Sequence, residues 1–508
     1  MIQGCATPEG TQAYAERFAG VDFTHLGRTG LLTSAAGFGA YRIAAGVGVH
    51  AEALTAALTG GVNLIDTSAN YADGESEMLI GQVLRKLTAE GALKRQEVIV
   101  VSKAGYLQGR NYELSQARKR EGNPFVELVE YDRGLEHCIH PDFMADQLTR
   151  SLKRLDLESL DLYLLHNPEY YLGWARKNGI PPETAFAEYY RRIRSAFDYL
   201  ETEVAKGRIN AYGVSSNTFP ASASHPDWTS LDRLVRLAEE ITPQHHFHVI
   251  QLPFNLLESG AVLESNQPEG RSVLELAAGC RLGVLINRPL NAVAGSRMIR
   301  LADIAATASF KDEEITESIT VFKRSEKRFI RHHLHAMEAP MPLKQRIAEQ
   351  LTVADHLTHY WRNFGGYEGW RQVRGGFVLP RVMGVIQYLH QHAGDSVGII
   401  SWAESHQILM EKACQCIESV YAGQLIRKLE ALKRRVRAAD PEWGRAETLS
   451  QMALRAVRST YGVSSVLVGM RHPAYVADVL VELKRPLHQA ARTKAWRTMA
   501  SFIADSRR

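Results

Sequence analysis

The stretch NLIDTSANYADGESEMLIG, residues 63–81, decides the fold class. It starts with a short apolar run that ends in Asp66, passes through a polar loop with Tyr71, and continues with apolar residues at helical spacing. This order is typical of one βα unit. A charge is costly to bury without a partner, so the position of Asp66 predicts a strand end where the carboxylate has a use.

The same order recurs along the chain and predicts an α/β protein. Strands buried on both faces that alternate with amphipathic helices form parallel sheets, and eight such units favour a closed (β/α)8 TIM barrel. An open, doubly wound sheet is the alternative, but the G-x-G-x-x-G fingerprint after the first strand is missing. The predicted strands lie near residues 35–38, 62–65, 98–102, 160–165, 211–215, 249–252, 283–286 and 465–468.

Two further segments are predicted around this barrel. Residues 23–39 have two short apolar arms around Gly27 and Gly30, which indicates a hairpin that caps the barrel floor. The segment between the last two predicted strands is far too long for a single connection, and its apolar residues recur at helical spacing. It is therefore predicted to be an inserted helical subdomain. The predicted boundaries are an N-terminal extension over 1–22, the first part of the barrel over 23–291, the helical insertion over 292–446, the last βα unit over 447–484 and a basic C-terminal tail or helix over 485–508.

Composition excludes several classes of protein. The 60 basic and 56 acidic residues leave a formal charge of +4, which gives no support to a nucleic-acid or membrane-surface function. No apolar run approaches the length of a membrane span, and the five cysteines form neither a disulfide framework nor a zinc spacing. These features predict a cytoplasmic protein.

Four polar residues follow three successive predicted strands: Asp66, Tyr71, Lys103 and His166. In a parallel barrel the carboxyl ends of the strands form the site of chemistry, so we expect these side chains to meet. An ammonium near Tyr71 favours the phenolate, so Lys103 is expected to lower the Tyr71 pKa. Asp66 is expected to keep Lys103 ionised, and His166 to hydrogen-bond and orient a carbonyl oxygen.

Six segments, in order, resemble the signature segments of the aldo-keto reductase superfamily: LGRTGLLTSAAGFG, NLIDTSANYADGESEMLIG, VIVVSKAG, LDLYLLHNPE, AYGVSSNT and VLVGMRHP. The resemblance spans residues 23–290 and 447–483. It implies a (β/α)8 barrel that transfers hydride between NADPH, or less often NADH, and a carbonyl or alcohol. It also implies that Asp66, Tyr71, Lys103 and His166 are the catalytic tetrad, with Tyr71 as the proton donor or acceptor.

The resemblance further implies which residues contact the cofactor. Relatives usually place Tyr or Trp after the seventh strand to stack on the nicotinamide, whereas this chain has Asn287 and Arg288. Arg471 favours NADPH, since a guanidinium can pair with a 2'-phosphate. The implied cofactor-binding residues are Gly39, Tyr41, Ser216, Asn217, Gln251, Arg288, Gly469 and Arg471.

Three functions are compatible with these patterns. The first is an NAD(P)H-dependent oxidoreductase for a small carbonyl or alcohol, including sugars, because Tyr170, Tyr171 and Trp174 follow His166 closely. The second is a cofactor-binding regulatory or scaffold protein with little turnover. The third, a metal-dependent hydrolase, rests only on histidine runs within the insertion, and solvated helix faces explain these better, so no metal site is predicted.

Overall fold

The computed structural model describes residues 1–294, 297–305, 308–392 and 396–505. The chain divides into two compact units. The barrel unit comprises Met1–Ala302 and Arg435–Arg508, and the helical unit comprises Asp303–Arg434. Residues 292–302 and 435–446, which the sequence analysis assigned to the insertion, thus belong to the barrel unit.

The described residues form short strands, eight of which close a barrel. The strands are β1 (Phe23–His25), β2 (Leu32–Ser34), β3 (Ala36–Gly39), β4 (Leu64–Asp66), β5 (Ile99–Ala104), β6 (Tyr106–Leu107), β7 (Val129–Asp132), β8 (Leu135–His137), β9 (Leu160–His166), β10 (Ile209–Ser215), β11 (Phe247–Pro253), β12 (Gly283–Asn287), β13 (Asn291–Ala294), β14 (Arg297–Arg300) and β15 (Ser465–Val468).

The barrel order is β3-β4-β5-β9-β10-β11-β12-β15, and each neighbouring pair is parallel. The predicted (β/α)8 class is therefore confirmed. Alternate residues of the strands point inward and pack as an apolar core that includes Leu64, Val101, Leu164 and Leu285. Gly213 is needed here, because a Cβ atom at this position would lie 2.0 Å from the Val249 carbonyl oxygen.

The predicted N-terminal hairpin is confirmed as the antiparallel pair β1–β2. Its turn packs on the barrel floor, at the amino ends of β11 and β12. Arg28 Nη2 donates to the Phe247 carbonyl oxygen at 3.1 Å. Gly27 has a φ of 55°, and a Cβ there would lie 2.2 Å from the Gly283 nitrogen, so this close contact requires glycine.

Helices follow the barrel strands and form most of the helical unit. They are α1 (Pro8–Arg17), α2 (Gly48–Gly60), α3 (Glu75–Ala89), α4 (Gly109–Arg120), α5 (Pro141–Leu155), α6 (Tyr170–Lys177), α7 (Pro182–Ala205), α8 (Leu231–Ile241), α9 (Gly260–Leu263), α10 (Val273–Gly279), α11 (Asp312–Phe329), α12 (Met341–Gln350), α13 (Val353–Tyr360), α14 (Tyr367–Val373), α15 (Leu379–His392), α16 (Val397–Ala439), α17 (Leu449–Arg458), α18 (Pro473–Leu483) and α19 (Thr493–Asp505). Among the described helices, none is both long and apolar enough to cross a membrane.

The helical unit has an apolar core of its own. Phe329 and Trp402 stack with ring centroids 4.1 Å apart, and Trp370 is fully buried in the same cluster. His406 stacks on Trp402, and its Nδ1 forms a hydrogen bond with the Ser325 hydroxyl. Across the described residues, no three His, Cys, Asp or Glu side chains lie together as metal ligands would.

Candidate active site

The carboxyl ends of three adjacent barrel strands bring the four predicted residues together. Asp66 closes β4, His166 closes β9, and Lys103 lies one residue before the end of β5. Tyr71 begins a short helical turn over Tyr71–Gly74, in which Ala72, Asp73 and Gly74 have left-handed backbone conformations. This tight turn returns the chain to the barrel mouth, so Tyr71 reaches the residues at the strand ends.

Asp66 and Lys103 form a buried ion pair. Lys103 Nζ lies 2.7 Å from Asp66 Oδ1 and also donates to the Thr67 carbonyl oxygen at 2.8 Å. Lys103 has no exposed surface, and Asp66 is 4% exposed. Burial lowers the pKa of Lys103, and the Asp66 carboxylate opposes that shift by stabilising the ammonium. Two charges are thus held without water because each compensates the other.

Tyr71 lies next to this pair. Lys103 Nζ is 5.1 Å from the centroid of the Tyr71 ring, and the His166 ring centroid is 6.0 Å away. The pKa of Tyr71 is raised well above its ordinary value. Burial is the largest cause, followed by the negative charge of Asp66 and by Tyr41. The expected net lowering of this pKa is not seen, because burial and the Asp66 charge raise it by more than the Lys103 ammonium can lower it.

His166 is held as a neutral imidazole. Its Nδ1 lies 3.0 Å from the Ser68 hydroxyl, and the Tyr106 ring meets it edge-on with a centroid distance of 4.6 Å. Burial lowers its pKa well below the usual range, and Lys103 and His137 add to the effect. His137 donates from Nε2 to the His166 carbonyl oxygen at 2.8 Å, which fixes the backbone at the strand end.

Gln251 extends the ion pair toward the next strands. Its Nε2 donates to Asp66 Oδ1 at 2.8 Å, and its Oε1 accepts from the Ser215 hydroxyl at 2.9 Å. In the barrel register Ser215 pairs with both His166 and Gln251. The Ser216 hydroxyl, which the sequence motif assigns to the cofactor, packs with Thr229. Successive strand residues point to opposite faces, so the hydroxyl near Asp66 belongs to Ser215.

Three other predicted cofactor positions lie at the end of β3 or shortly after β3 and β10. Gly39 closes β3, next to Asp66 in the sheet register. Tyr41 is 62% exposed and meets the Tyr71 ring edge-on at 5.1 Å. Asn217 has an exposed side chain, and its backbone nitrogen donates to Glu169 Oε1 at 2.8 Å. The structure therefore leaves the side chains of Tyr41 and Asn217 open to a ligand.

The remaining predicted positions follow β12 and β15. Arg288 has a positive φ of 51°, and its Nη2 lies 2.8 Å from Glu258 Oε1. Asn287 Oδ1 is buried and has no hydrogen-bond partner among the described residues. Gly469 and Arg471 are exposed in the loop before α18. Unlike Arg471, the Arg288 guanidinium is committed to a carboxylate of the protein.

Comparison with known proteins agrees with this architecture. Residues 49–275 match the model of the Aldo/keto reductase family. The barrel therefore contains an aldo/keto reductase domain over residues 49–275. The resemblance inferred from the six sequence segments is thereby confirmed.

The domain is similar to several characterised proteins. The NADH-specific methylglyoxal reductase of Escherichia coli is 26% identical over 199 residues, which cover 38% of this chain and 51% of the reductase. The 6-dehydroglucose reductase of Novosphingobium aromaticivorans is 26% identical over 230 residues, which cover 44% of this chain and 60% of that enzyme. The matched part thus spans about half the length of the first of these relatives. The structure of a glycerol dehydrogenase from Gluconobacter oxydans covers 95% of each chain at 15% identity and a TM-score of 0.46.

One part of the aldo/keto reductase domain was not predicted. Between β5 and α5 the chain forms a small antiparallel sheet in the order β6-β8-β7, which carries Tyr106 and His137. Tyr170 stacks on His137 at 5.7 Å and meets Tyr106 edge-on at 5.1 Å. These strands are two to four residues long, which is too short for the alternation of apolar and polar residues to be recognised in the sequence.

The three aromatic residues after His166 separate into two groups. Tyr170 joins the cluster with Tyr106 and His137 beside His166. Tyr171 is buried, and the Arg192 guanidinium lies over the Tyr171 ring, 4.1 Å from the ring centroid. The Trp174 ring packs against Tyr171. Of the three, Tyr170 is therefore the one that packs on Tyr106, whose ring contacts His166.

Proposed function

We propose that this protein is an NAD(P)H-dependent oxidoreductase that transfers hydride between nicotinamide and a carbonyl or alcohol substrate, with Tyr71 as proton donor or acceptor. The observation that supports this most is the buried Asp66–Lys103 ion pair beside Tyr71 and His166. These groups lie at the carboxyl face of an aldo/keto reductase domain, where barrel enzymes carry their chemistry.

Tyr71 holds the proton that the reaction requires. Its raised pKa keeps the phenol protonated at neutral pH, so Oη is ready to donate. An alkoxide that develops on a reduced carbonyl is a stronger base than phenolate, so this transfer is favourable. The Lys103 ammonium stabilises the phenolate that remains after donation, and Asp66 keeps Lys103 ionised. Tyr71 can therefore serve as the proton donor in carbonyl reduction.

The residues at the barrel mouth fit a nicotinamide cofactor. Asn287 has a buried carbonyl oxygen without a partner, and Asn217 has an exposed amide. Gln251 and Asn217 would hold the carboxamide, with Gly39 and Tyr41 alongside, while Gly469 and Arg471 would hold the adenosine phosphate. When bound, the cofactor supplies hydride for reduction or accepts it in oxidation. Arg471 favours NADPH, and NADH fits the E. coli relative, whose name specifies NADH.

The substrate class follows from the same surfaces. The two relatives act, by their names, on methylglyoxal and 6-dehydroglucose, a small dicarbonyl and an oxidised sugar. The Tyr106 ring meets His166, Tyr170 packs on Tyr106, and aromatic rings pack well on a sugar or an alkyl chain. We therefore propose a small aldehyde, ketone or sugar as substrate.

Replacement of Tyr71 by Phe tests the proposal. In steady-state NADPH oxidation with methylglyoxal, glyceraldehyde and xylose, Tyr71→Phe is expected to lower kcat by about 10²–10⁴-fold, the usual value of one acid–base group. The dissociation constant of NADPH, measured by fluorescence titration, is expected to stay unchanged. Tyr461→Phe is the matched control, because Tyr461 is 57% exposed and precedes β15. Near-wild-type turnover by Tyr71→Phe would show that Tyr71 is not the proton donor.

A second candidate is a cofactor-binding regulatory protein on the same barrel. The observation in its favour is the end of β12, where Asn287 replaces a stacking aromatic residue and Arg288 pairs with Glu258. Tight NADPH binding by the wild type without turnover on the whole carbonyl panel would favour this candidate over the enzyme.

A further inference from the structure

The turn that carries Tyr71 has an unfavourable backbone. Ala72 and Asp73, which follow Tyr71 directly, have φ values of 47° and 56°, in the left-handed region that residues with a Cβ atom rarely adopt. Such a conformation persists only where the surrounding structure fixes it. The position of Tyr71 at the barrel mouth therefore depends on contacts that the turn makes with other elements.

The Asp73 side chain makes such a contact with the start of α4. Its Oδ1 accepts from the backbone nitrogen of Arg110 at 3.0 Å, and its Oδ2 lies 3.2 Å from Arg110 Nε. The first backbone N–H groups of a helix have no partner within the helix. Gln108, the residue before α4, makes no capping hydrogen bond with its side chain, and the first turn has no acidic residue. Asp73 thus supplies from another element the oxygen that an N-cap residue usually provides.

Two further features show how closely the turn and the start of α4 fit together. Gly109, the first residue of α4, has a φ of 52°, and a Cβ atom there would lie 2.6 Å from Asp73 Oδ1. This contact therefore requires glycine. The side-chain amides of Asn70 and Gln108 also form a hydrogen bond of 3.1 Å between the same two segments.

The segment before α4 also reaches His166. Tyr106 lies in β6, two residues before Gln108, and its ring centroid is 4.6 Å from that of His166. The His166 and Tyr71 rings are 6.0 Å apart. Residues 106–110 therefore contact both the turn of Tyr71 and the His166 ring.

We propose that Asp73 is a positioning residue, which holds the Tyr71 hydroxyl in place for proton transfer through its contact with the start of α4. The proton-transfer part of this proposal rests on the proposed function. Asp73 acts through Tyr71, so its loss is expected to lower kcat and to leave the affinity for NADPH unchanged. A misplacement of roughly 1 Å can cost about 10²-fold in rate.

Variants of Asp73 separate the side-chain contact from the backbone conformation. Asp73→Gly allows the left-handed backbone without the side chain and is expected to lower kcat about 10²-fold. Asp73→Asn keeps an oxygen that can accept from the Arg110 N–H and is expected to keep kcat close to the wild-type value. Gly109→Ala disturbs the same contact from α4 and is expected to lower kcat as well. Asp142→Gly is the matched control, because Asp142 lies in the first turn of α5 with a side chain that is 74% exposed.

Fluorine nuclear magnetic resonance tests the position of Tyr71 without reference to activity. The full-length protein is labelled with 3-fluorotyrosine. The chain has 19 tyrosines, so the Tyr71 resonance is the one missing from a Tyr71→Phe spectrum. We expect this resonance to shift or broaden in Asp73→Gly and to keep its position in Asp73→Asn and Asp142→Gly. An unchanged Tyr71 resonance in Asp73→Gly would overturn the proposal, whether or not the protein is an enzyme.

The kinetic outcomes are distinct from one another. Wild-type kcat in a folded Asp73→Gly protein would overturn the role of Asp73 in proton transfer. An equal loss of kcat in Asp73→Asn and Asp73→Gly would also overturn it, because Asn keeps the acceptor of the contact. Absence of turnover with every aldehyde in the wild type would instead contradict the proposed function, and the resonance experiment alone would then decide whether Asp73 holds Tyr71.

Discussion

Lys103 is the residue on which the proposed site depends most. It is completely buried, and its ammonium contacts Asp66 and the Thr67 carbonyl oxygen. A buried ion pair is weak evidence for stability, because hydrophobic replacements of whole pairs are often as stable. The position of Lys103 at the mouth of the barrel is therefore better explained by the charge that it provides near Tyr71.

Replacement of Lys103 by Met separates these two contributions. Lys103→Met leaves the Asp66 carboxylate buried without its partner, which is expected to cost about 3–5 kcal/mol in the free energy of unfolding. It also removes the charge that stabilises the Tyr71 phenolate, so kcat is expected to fall far more than KM changes. Denaturant unfolding and steady-state kinetics measure the two effects.

The double variant Asp66→Asn/Lys103→Met is the control. It removes both charges, so we expect much of the stability to return while turnover stays lost. Recovery of turnover together with stability would mean that the pair has only a structural role.

The residue types of the site could be predicted from sequence, but two of its properties could not. Polar residues after apolar runs are visible in the sequence, so Asp66, Lys103 and His166 could be assigned to strand ends. The direction of the Tyr71 pKa shift depends on the competition between burial and two nearby charges, which needs three-dimensional distances. The hydrogen bonds of Ser68 depend on a turn whose backbone geometry has no sequence pattern.

At the scale of single elements, the end of β10 shows how one position changes a side chain's role. Ser215 bonds to Gln251 and through it to Asp66, whereas the Ser216 hydroxyl contacts Thr218 and Thr229. The sequence GVSSN contains both serines, and the motif alone assigned Ser216. The strand register with His166 and Gln251 is the observation that identifies Ser215.

The two serines provide a matched pair of variants. Ser215→Ala releases the Gln251 amide that contacts Asp66, so we expect kcat/KM to fall about tenfold, as for one lost hydrogen bond. Ser216→Ala breaks a contact on the opposite face and is expected to leave kcat/KM within about twofold, with a loss of about 1 kcal/mol in stability. Equal kinetic loss in both variants would contradict the assignment by register.

The elements themselves were predictable where they are long or strongly patterned. Each of the eight barrel strands overlaps its predicted range, and β15 covers residues 465–468 as expected. The expected range 62–65 excluded Asp66, which the structure includes in β4, because a charge normally ends a buried run. The sheet β6-β8-β7 escaped prediction, since its strands gain their order from contacts with distant residues such as Tyr170.

At the scale of the whole molecule, the described residues include one apolar core within the barrel unit and another within the helical unit. The barrel core consists of aliphatic residues, most of them from the strands, including Leu164, and every member lies in the barrel unit. The core around Trp370 consists only of residues from the helical unit. Each unit therefore buries its own hydrophobic surface, which is the property that defines a domain.

Two core variants test whether these units unfold separately. Leu164→Ala and Trp370→Ala each open a cavity at a fully buried site and are expected to cost about 2–5 kcal/mol within their own unit. Calorimetry of the full chain is expected to show two transitions, with each variant lowering a different one. NADPH, which binds the barrel in our proposal, should raise only the transition that Leu164→Ala lowers, because a ligand stabilises the unit that binds it.

The exposed residue Val397 provides the control for these variants. Val397 is 79% exposed, so Val397→Ala is expected to change neither transition by more than about 0.5 kcal/mol. One transition that both core variants lower equally would contradict separate unfolding and show that the two cores act as one cooperative structure. In that case the helical unit would contribute to the stability of the site itself, and its variants should also weaken NADPH binding measured near the transition temperature.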